Sequence, residues 1–118
     1  VVEVNISLVG DFNDWNENDT TYDINNFTGF SDSNVFLSID IEMEANQALK
    51  IVKDHSWSDG GYGFNLFAGS EHFVPEYYSS GENNCIVVLE AGAYKVSVRI
   101  DISMGSPIIL MIDMQKIS

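Results

Sequence analysis

The stretch Tyr94-Lys95-Val96-Ser97-Val98-Arg99-Ile100-Asp101 alternates apolar and polar residues without a break. Successive side chains of an extended strand point to opposite faces. A run of this kind therefore sets one face on a core and the other in water. The same period recurs upstream. Val2, Val4, Ile6 and Leu8 alternate with Glu3, Asn5 and Ser7 and end at Gly10. Val35, Leu37, Ile39, Ile41 and Met43 form a second set, with Ser38, Asp40 and Glu42 among the residues between them. Leu49 and Ile51 flank Lys50. Cys85 to Leu89 and Ile108 to Ile112 are continuous apolar runs, the pattern of strands covered on both sides or set at a sheet centre.

Turn-forming clusters separate the runs: Gly10-Asp11, Asp59-Gly60-Gly61, Ser80-Gly81 and Ala91-Gly92. Pro107 stands at the mouth of the last strand, a tolerated place for it. No window carries apolar spacing of helical period over three turns; Glu42 to Leu49 is short and interrupted by Asn46. The pattern predicts an all-β fold, an antiparallel β-sandwich of immunoglobulin-like type with about seven to eight strands. Two stretches, about Asp14 to Asn34 and Phe64 to Asn83, are long and weakly patterned, and long loops on a sandwich are where binding residues concentrate.

The 118 residues make one domain, with no internal repeat and no linker. Folding a chain of this size buries roughly 12,600 Å², enough for a core of its own. Because the chain opens directly on a strand-like pattern, it reads as a module of a larger multidomain protein. Lys and Arg number 5 against 18 Asp and Glu, a formal charge of -13. That balance opposes nucleic acid and anionic membranes as partners. No apolar run is long enough to insert into a bilayer. The single cysteine, Cys85, can form no intrachain disulfide and reads as a small core hydrophobe.

Three clusters carry candidate chemistry. The first is Gly10-Asp11-Phe12-Asn13-Asp14-Trp15-Asn16, where a tryptophan stands in a turn-prone polar stretch just after a strand. Its flat apolar face suits the apolar face of a sugar ring; the plainer reading is a plug at one end of the sandwich. The second runs from Leu49 to Trp57 and on through Gly60-Gly61-Tyr62-Gly63. With Leu49 and Ile51 inward, Lys50 turns outward, seven residues before Trp57. Its ammonium can donate to hydroxyls, or simply pair with one of many carboxylates. The third is Gly81-Glu82-Asn83-Asn84 before the run at Cys85. An Asn amide both donates and accepts, which matches vicinal hydroxyls, and the same residues also make an ordinary turn.

Taken together, these clusters resemble the glycogen- and starch-binding modules of carbohydrate-binding family 48. The stretch Trp57 to Gly63, then Asn83-Asn84 and Gly92-Ala93-Tyr94-Lys95-Val96, is similar to binding domains of bacterial outer-membrane starch-utilisation proteins and accessory domains of pullulanases. The resemblance spans about Ile6 to Ile102. It implies a non-catalytic module that binds an α-1,4-glucan such as starch or a maltooligosaccharide, without a cofactor. By position it implies Trp15 and Trp57 as stacking platforms, Lys50 as a donor to hydroxyls and Asn83 as a ligand to ring hydroxyls. Tyr62 would extend the platform or prop Trp57 from beneath. It further implies a monomer, held with other domains of its parent protein outside the cell or on a bacterial surface.

Three rivals stand beside this reading. A glycoside hydrolase needs a pair of carboxylates, one of them in an apolar setting; only Asp113, between Ile112 and Met114, has such neighbours. A calcium site would use the oxygen-rich stretch Asp11, Asn13, Asp14, Asn16, Asn18 and Asp19, whose spacing is not that of an EF-hand. A ligand-free spacer would have the same sandwich with its tryptophans buried.

Overall fold

The computed structural model describes residues 4–58, 61–63, 77–79 and 85–118. Among them eight strands form: β1 (Ile6–Gly10), β2 (Asn26–Ser31), β3 (Asn34–Met43), β4 (Ala48–Lys53), β5 (Tyr77–Ser79), β6 (Ile86–Val88), β7 (Gly92–Asp101) and β8 (Ile108–Lys116). They build two four-stranded sheets, in the orders β1-β4-β6-β5 and β2-β3-β7-β8. All strand pairs are antiparallel. The all-β antiparallel sandwich expected from the alternating runs is the fold of the chain.

The alternating residues are what hold the two layers together. Ile6 and Leu8 of β1, Leu49 and Ile51 of β4, and Ile86 and Val88 of β6 meet Val35, Leu37, Ile41 and Met43 of β3 and Val96, Val98 and Ile100 of β7 in one core cluster. Each such side chain contributes about 1.5–3 kcal/mol relative to exposure. The β3–β7 ladder runs in unbroken register from Asn34↔Asp101 to Met43↔Gly92. Tyr94, wholly buried near the start of β7, donates its hydroxyl to the Glu90 carbonyl at 2.5 Å. A buried hydroxyl needs such a partner, and this one has the form of the tyrosine corner of immunoglobulin-type sandwiches. Cys85 is buried, as its apolar flank predicts.

Four sequence expectations change: to begin with, Tyr77–Ser79, inside the stretch from about Phe64 to Asn83 that reads as loop, forms the edge strand β5. The segment Asn26–Ser31 reads as loop but forms the edge strand β2. It is mostly exposed and shifts register between Phe27 and Gly29, so it has no clean alternation to see. The apolar run from Ile108 to Ile112 lies on the edge strand β8, with Ile108 and Leu110 exposed, and is not covered on both sides. Lastly, Ser7 was expected to face water, yet Ser7 and Val9 are buried although neither joins the core cluster. The outer face of β1 is covered.

Candidate functional site

The loop that follows β1 is anchored before it reaches its tryptophan. Gly10 is extended and passes so close to β4 that a Cβ there would lie 2.2 Å from the Ala48 carbonyl oxygen. Asn13 Oδ1 accepts from the Gly10 N–H at 3.0 Å, and Asp11 Oδ2 accepts from the Ala48 N–H at 2.8 Å. The chain then turns through two left-handed residues, Asp14 at φ 56° and Trp15 at φ 59°. The Trp15 N–H closes the turn on the Gly10 carbonyl at 2.9 Å. A left-handed tryptophan costs about 1–2 kcal/mol. The second Asp11 oxygen, Oδ1, accepts the indole N–H of Trp15 at 3.1 Å, which orients the ring.

The loop after β4 repeats the device. Asp54 at φ 58° and His55 at φ 52° are again left-handed, so four of the six non-glycine residues with positive φ among those described lie in these two loops. Strain of this kind gathers where a structure must present side chains in a fixed pose. The chain returns to β4 at Tyr62, which exchanges two backbone hydrogen bonds with Ile51, 2.7 and 2.8 Å long. Gly61, beside it, lies against the six-membered ring of Trp57.

These anchors bring Trp15 and Trp57 together across 42 positions of sequence: their ring centroids are 6.3 Å apart and the planes tilt by 42°. Both rings are half-buried, neither sealed in the core nor fully in solvent. Glu17 ties the two loops, since its Oε2 accepts the Trp57 indole N–H at 3.0 Å and its carbonyl lies 2.6 Å from His55 Nδ1. Asp19, in the first loop, caps the turn at Thr20–Tyr22. The Thr21 backbone N–H and then its hydroxyl hold the Asp19 carboxyl below its ordinary value of 3.8.

Lys50 sits between the core residues Leu49 and Ile51, so it points to the outer face, opposite Val9 in the β1–β4 ladder. Val9 precedes Gly10, whose carbonyl anchors Trp15. Lys50 therefore stands across the ladder from the residue next to that anchor. Tyr62 is half-buried and packs on the core cluster. That position suits support of the Trp57 loop, and its neighbour Gly61 lies against the Trp57 ring. Asn83 lies outside the described residues.

Sequence reasoning did not single out Glu17 or Asp23, and it met His55 and Gly61 only as members of the second cluster. Asp11 was visible only as a member of its motif, four residues before Trp15, and nothing in the sequence marks Glu17 as the residue joining the loops. Ser7, Asp23 and His55 also meet: Ser7 Oγ donates to Asp23 Oδ1, and His55 Nε2 lies 3.3 Å from the same oxygen. A catalytic triad needs imidazole between hydroxyl and carboxylate. Here the carboxylate is in the middle and Ser7 is wholly buried, so the cluster clamps the loops over β1. The oxygen-rich stretch spends its side chains on turns: Asn16 Oδ1 accepts from the Asn18 N–H and Asp19 Oδ1 from the Thr21 N–H. Among the described residues no three acidic, histidine or cysteine side chains converge as metal ligands. Asp113 is exposed on β8.

No protein family matches the chain, and no curated protein or solved structure matches it.

Proposed function

We propose that the chain is a non-catalytic module that binds α-1,4-glucan, starch or maltooligosaccharides, on Trp15 and Trp57. The observation that carries the reading is the tilted pair of half-buried indoles, 6.3 Å and 42° apart, held from both loops. An α-glucan curves, and successive rings turn their apolar faces; two planes set at an angle follow that curve, whereas a flat row suits a straight chain. Each stacked ring is worth about 1–2 kcal/mol by analogy with other aromatic contacts. Lys50, across the ladder from the residue before the Gly10 anchor, would donate to hydroxyls. Asn83 and Tyr62 remain part of the proposal, the first as a hydroxyl ligand and the second as support for Trp57. Binding this weak calls for several modules on one polymer, which fits a monomeric module within a larger extracellular or cell-surface protein.

Retention on insoluble corn starch tests the reading, with Trp57→Ala beside the wild type. The wild type is retained and the variant binds roughly tenfold more weakly, the loss of one stacked ring. Equal retention of both rejects the site. Retention of neither leaves the sandwich as a ligand-free spacer. Release of reducing sugar from amylose makes it a hydrolase.

A further inference from the structure

The residues opposite the core on the β2-β3-β7-β8 sheet form rows across the strands. Asp40, Lys95 and Gln115 make one row; Asn26, Ser38, Ser97 and Asp113 the next; Phe36, Arg99 and Met111 the third. Two hollows open on this face. One, of about 390 Å³, includes Ser38, Asp40 and Lys95 in its wall. The other, of about 420 Å³, includes Thr28, Ser97, Arg99 and Asp113. Ser38 and Ser97 are direct cross-strand partners, so the hollows adjoin. From Lys95 to Arg99 the combined groove runs about 13 Å along β7.

Arg99, the one arginine of the chain, is fixed before any ligand arrives. Its Nε donates to Asn34 Oδ1 at 2.5 Å, and its guanidinium carbon lies 5.6 Å from the centre of the Phe36 ring. The terminal nitrogens have no protein partner among the described residues, and the fork is the part of arginine that grips paired oxygens. Lys95 and Arg99 form no ion pair with Asp40 or Asp113 among the described residues, although all four share the face. Donors and acceptors thus stand side by side without cancelling.

We infer that this groove is a second binding site, separate from the tryptophan pair, for a neutral polyhydroxylated chain: a short oligosaccharide. The interleaved charges fix the class. An anion would meet Asp23, Asp40 and Asp113, in a protein of net charge -13. A cation would meet Lys95 and Arg99. Hydroxyl groups donate and accept at once, and so satisfy both kinds of wall. The backbones of the central strands β3 and β7, which floor the groove, are engaged by neighbours on both sides, so a peptide lying in it could not pair with that floor.

The test uses the Trp57→Ala chain, so that success or failure at the tryptophans does not decide the result. Maltoheptaose, cellohexaose and xylohexaose are titrated separately while backbone amide signals are followed. At least one of them shifts Ser38, Ser97 and Arg99 saturably. Arg99→Gln then weakens that binding about tenfold, the loss of one good charge-assisted contact. Asp113→Asn weakens it as well, and unchanged signals in the core show that both variants are folded. Absence of saturable shifts at these amides with all three chains overturns the inference. So does equal affinity in both variants, or binding of hexagalacturonate without any of the neutral chains.

Discussion

Gly61 lies against Trp57 so closely that a Cβ on the glycine would sit 2.7 Å from the indole Cζ3. It also has φ +75°, a conformation that side chains rarely adopt. Gly61→Ala therefore meets both a strained backbone and a displaced ring. We expect a loss of about 1–2 kcal/mol in thermal or urea unfolding, with altered tryptophan fluorescence. Unchanged stability and emission would show that the ring does not rest there.

Gly10 is a different case, because its extended backbone suits any residue. The obstacle is the Ala48 carbonyl oxygen, 2.2 Å from where a Cβ would be, with Phe12 Cε2 at 2.5 Å. A phenyl ring can swing aside; a strand carbonyl cannot. Gly10→Ala should cost about 1–3 kcal/mol, as overpacking does, and loosen the Trp15 turn that starts from the Gly10 carbonyl. Amide exchange at Trp15 measures the second effect.

The two indoles should be energetically coupled. A double-mutant cycle of Trp15→Ala and Trp57→Ala, read by unfolding, should give an interaction of about 0.5–1.5 kcal/mol, the range for an aromatic pair in contact. Additive losses would mean that the rings stand near one another without touching.

Tyr94→Phe removes the hydroxyl that meets the Glu90 carbonyl and leaves the ring in place. The expected loss is about 1 kcal/mol, seen as a lower denaturation midpoint with an unchanged slope. Starch retention should be unaltered, since both indoles and their carboxylate partners are kept.

Two exposed carboxyls should titrate low. Asp19 is held below 3.8 by the Thr21 backbone N–H and then the Thr21 hydroxyl, and Asp101 below 3.8 by the Ser103 hydroxyl and then its backbone N–H. A folded-state pKa below the unfolded one stabilises at pH above the unfolded value, and the gain is lost as pH falls through the folded pKa. The losses therefore fall in the acid range at and below about 3.8. Carboxyl carbon titrations by NMR should place both midpoints there, with Thr21→Ala raising that of Asp19 alone.

Strands that bury one face were legible in the sequence because burial writes a period of two. Val35 to Met43 and Tyr94 to Asp101 are examples. Asn26–Ser31 was not legible, since an exposed, bulged edge selects no alternation. The run from Ile108 to Ile112 misled for a related reason: an edge strand can keep apolar residues on an uncovered face. Ser7 was misread because its cover comes from loop residues far along the chain. For the candidate site, Trp15 and Trp57 stood out as aromatics in polar turns. The residues that join them did not, because Glu17 is one of 18 acidic residues and only the folded loops distinguish it.

Each indole N–H in the pair is already given to a carboxylate, Trp15 to Asp11 and Trp57 to Glu17. An anion at that edge pushes electron density into the ring and makes the negative lobes of its quadrupole stronger. The C–H bonds on the apolar side of a pyranose carry slight positive charge, so enriched π faces attract them more than ordinary tryptophans would. With the N–H groups engaged, recognition by the proposed site would fall to the ring faces alone. Replacing Glu17 with glutamine would thus weaken such a contact electronically while leaving the ring in position.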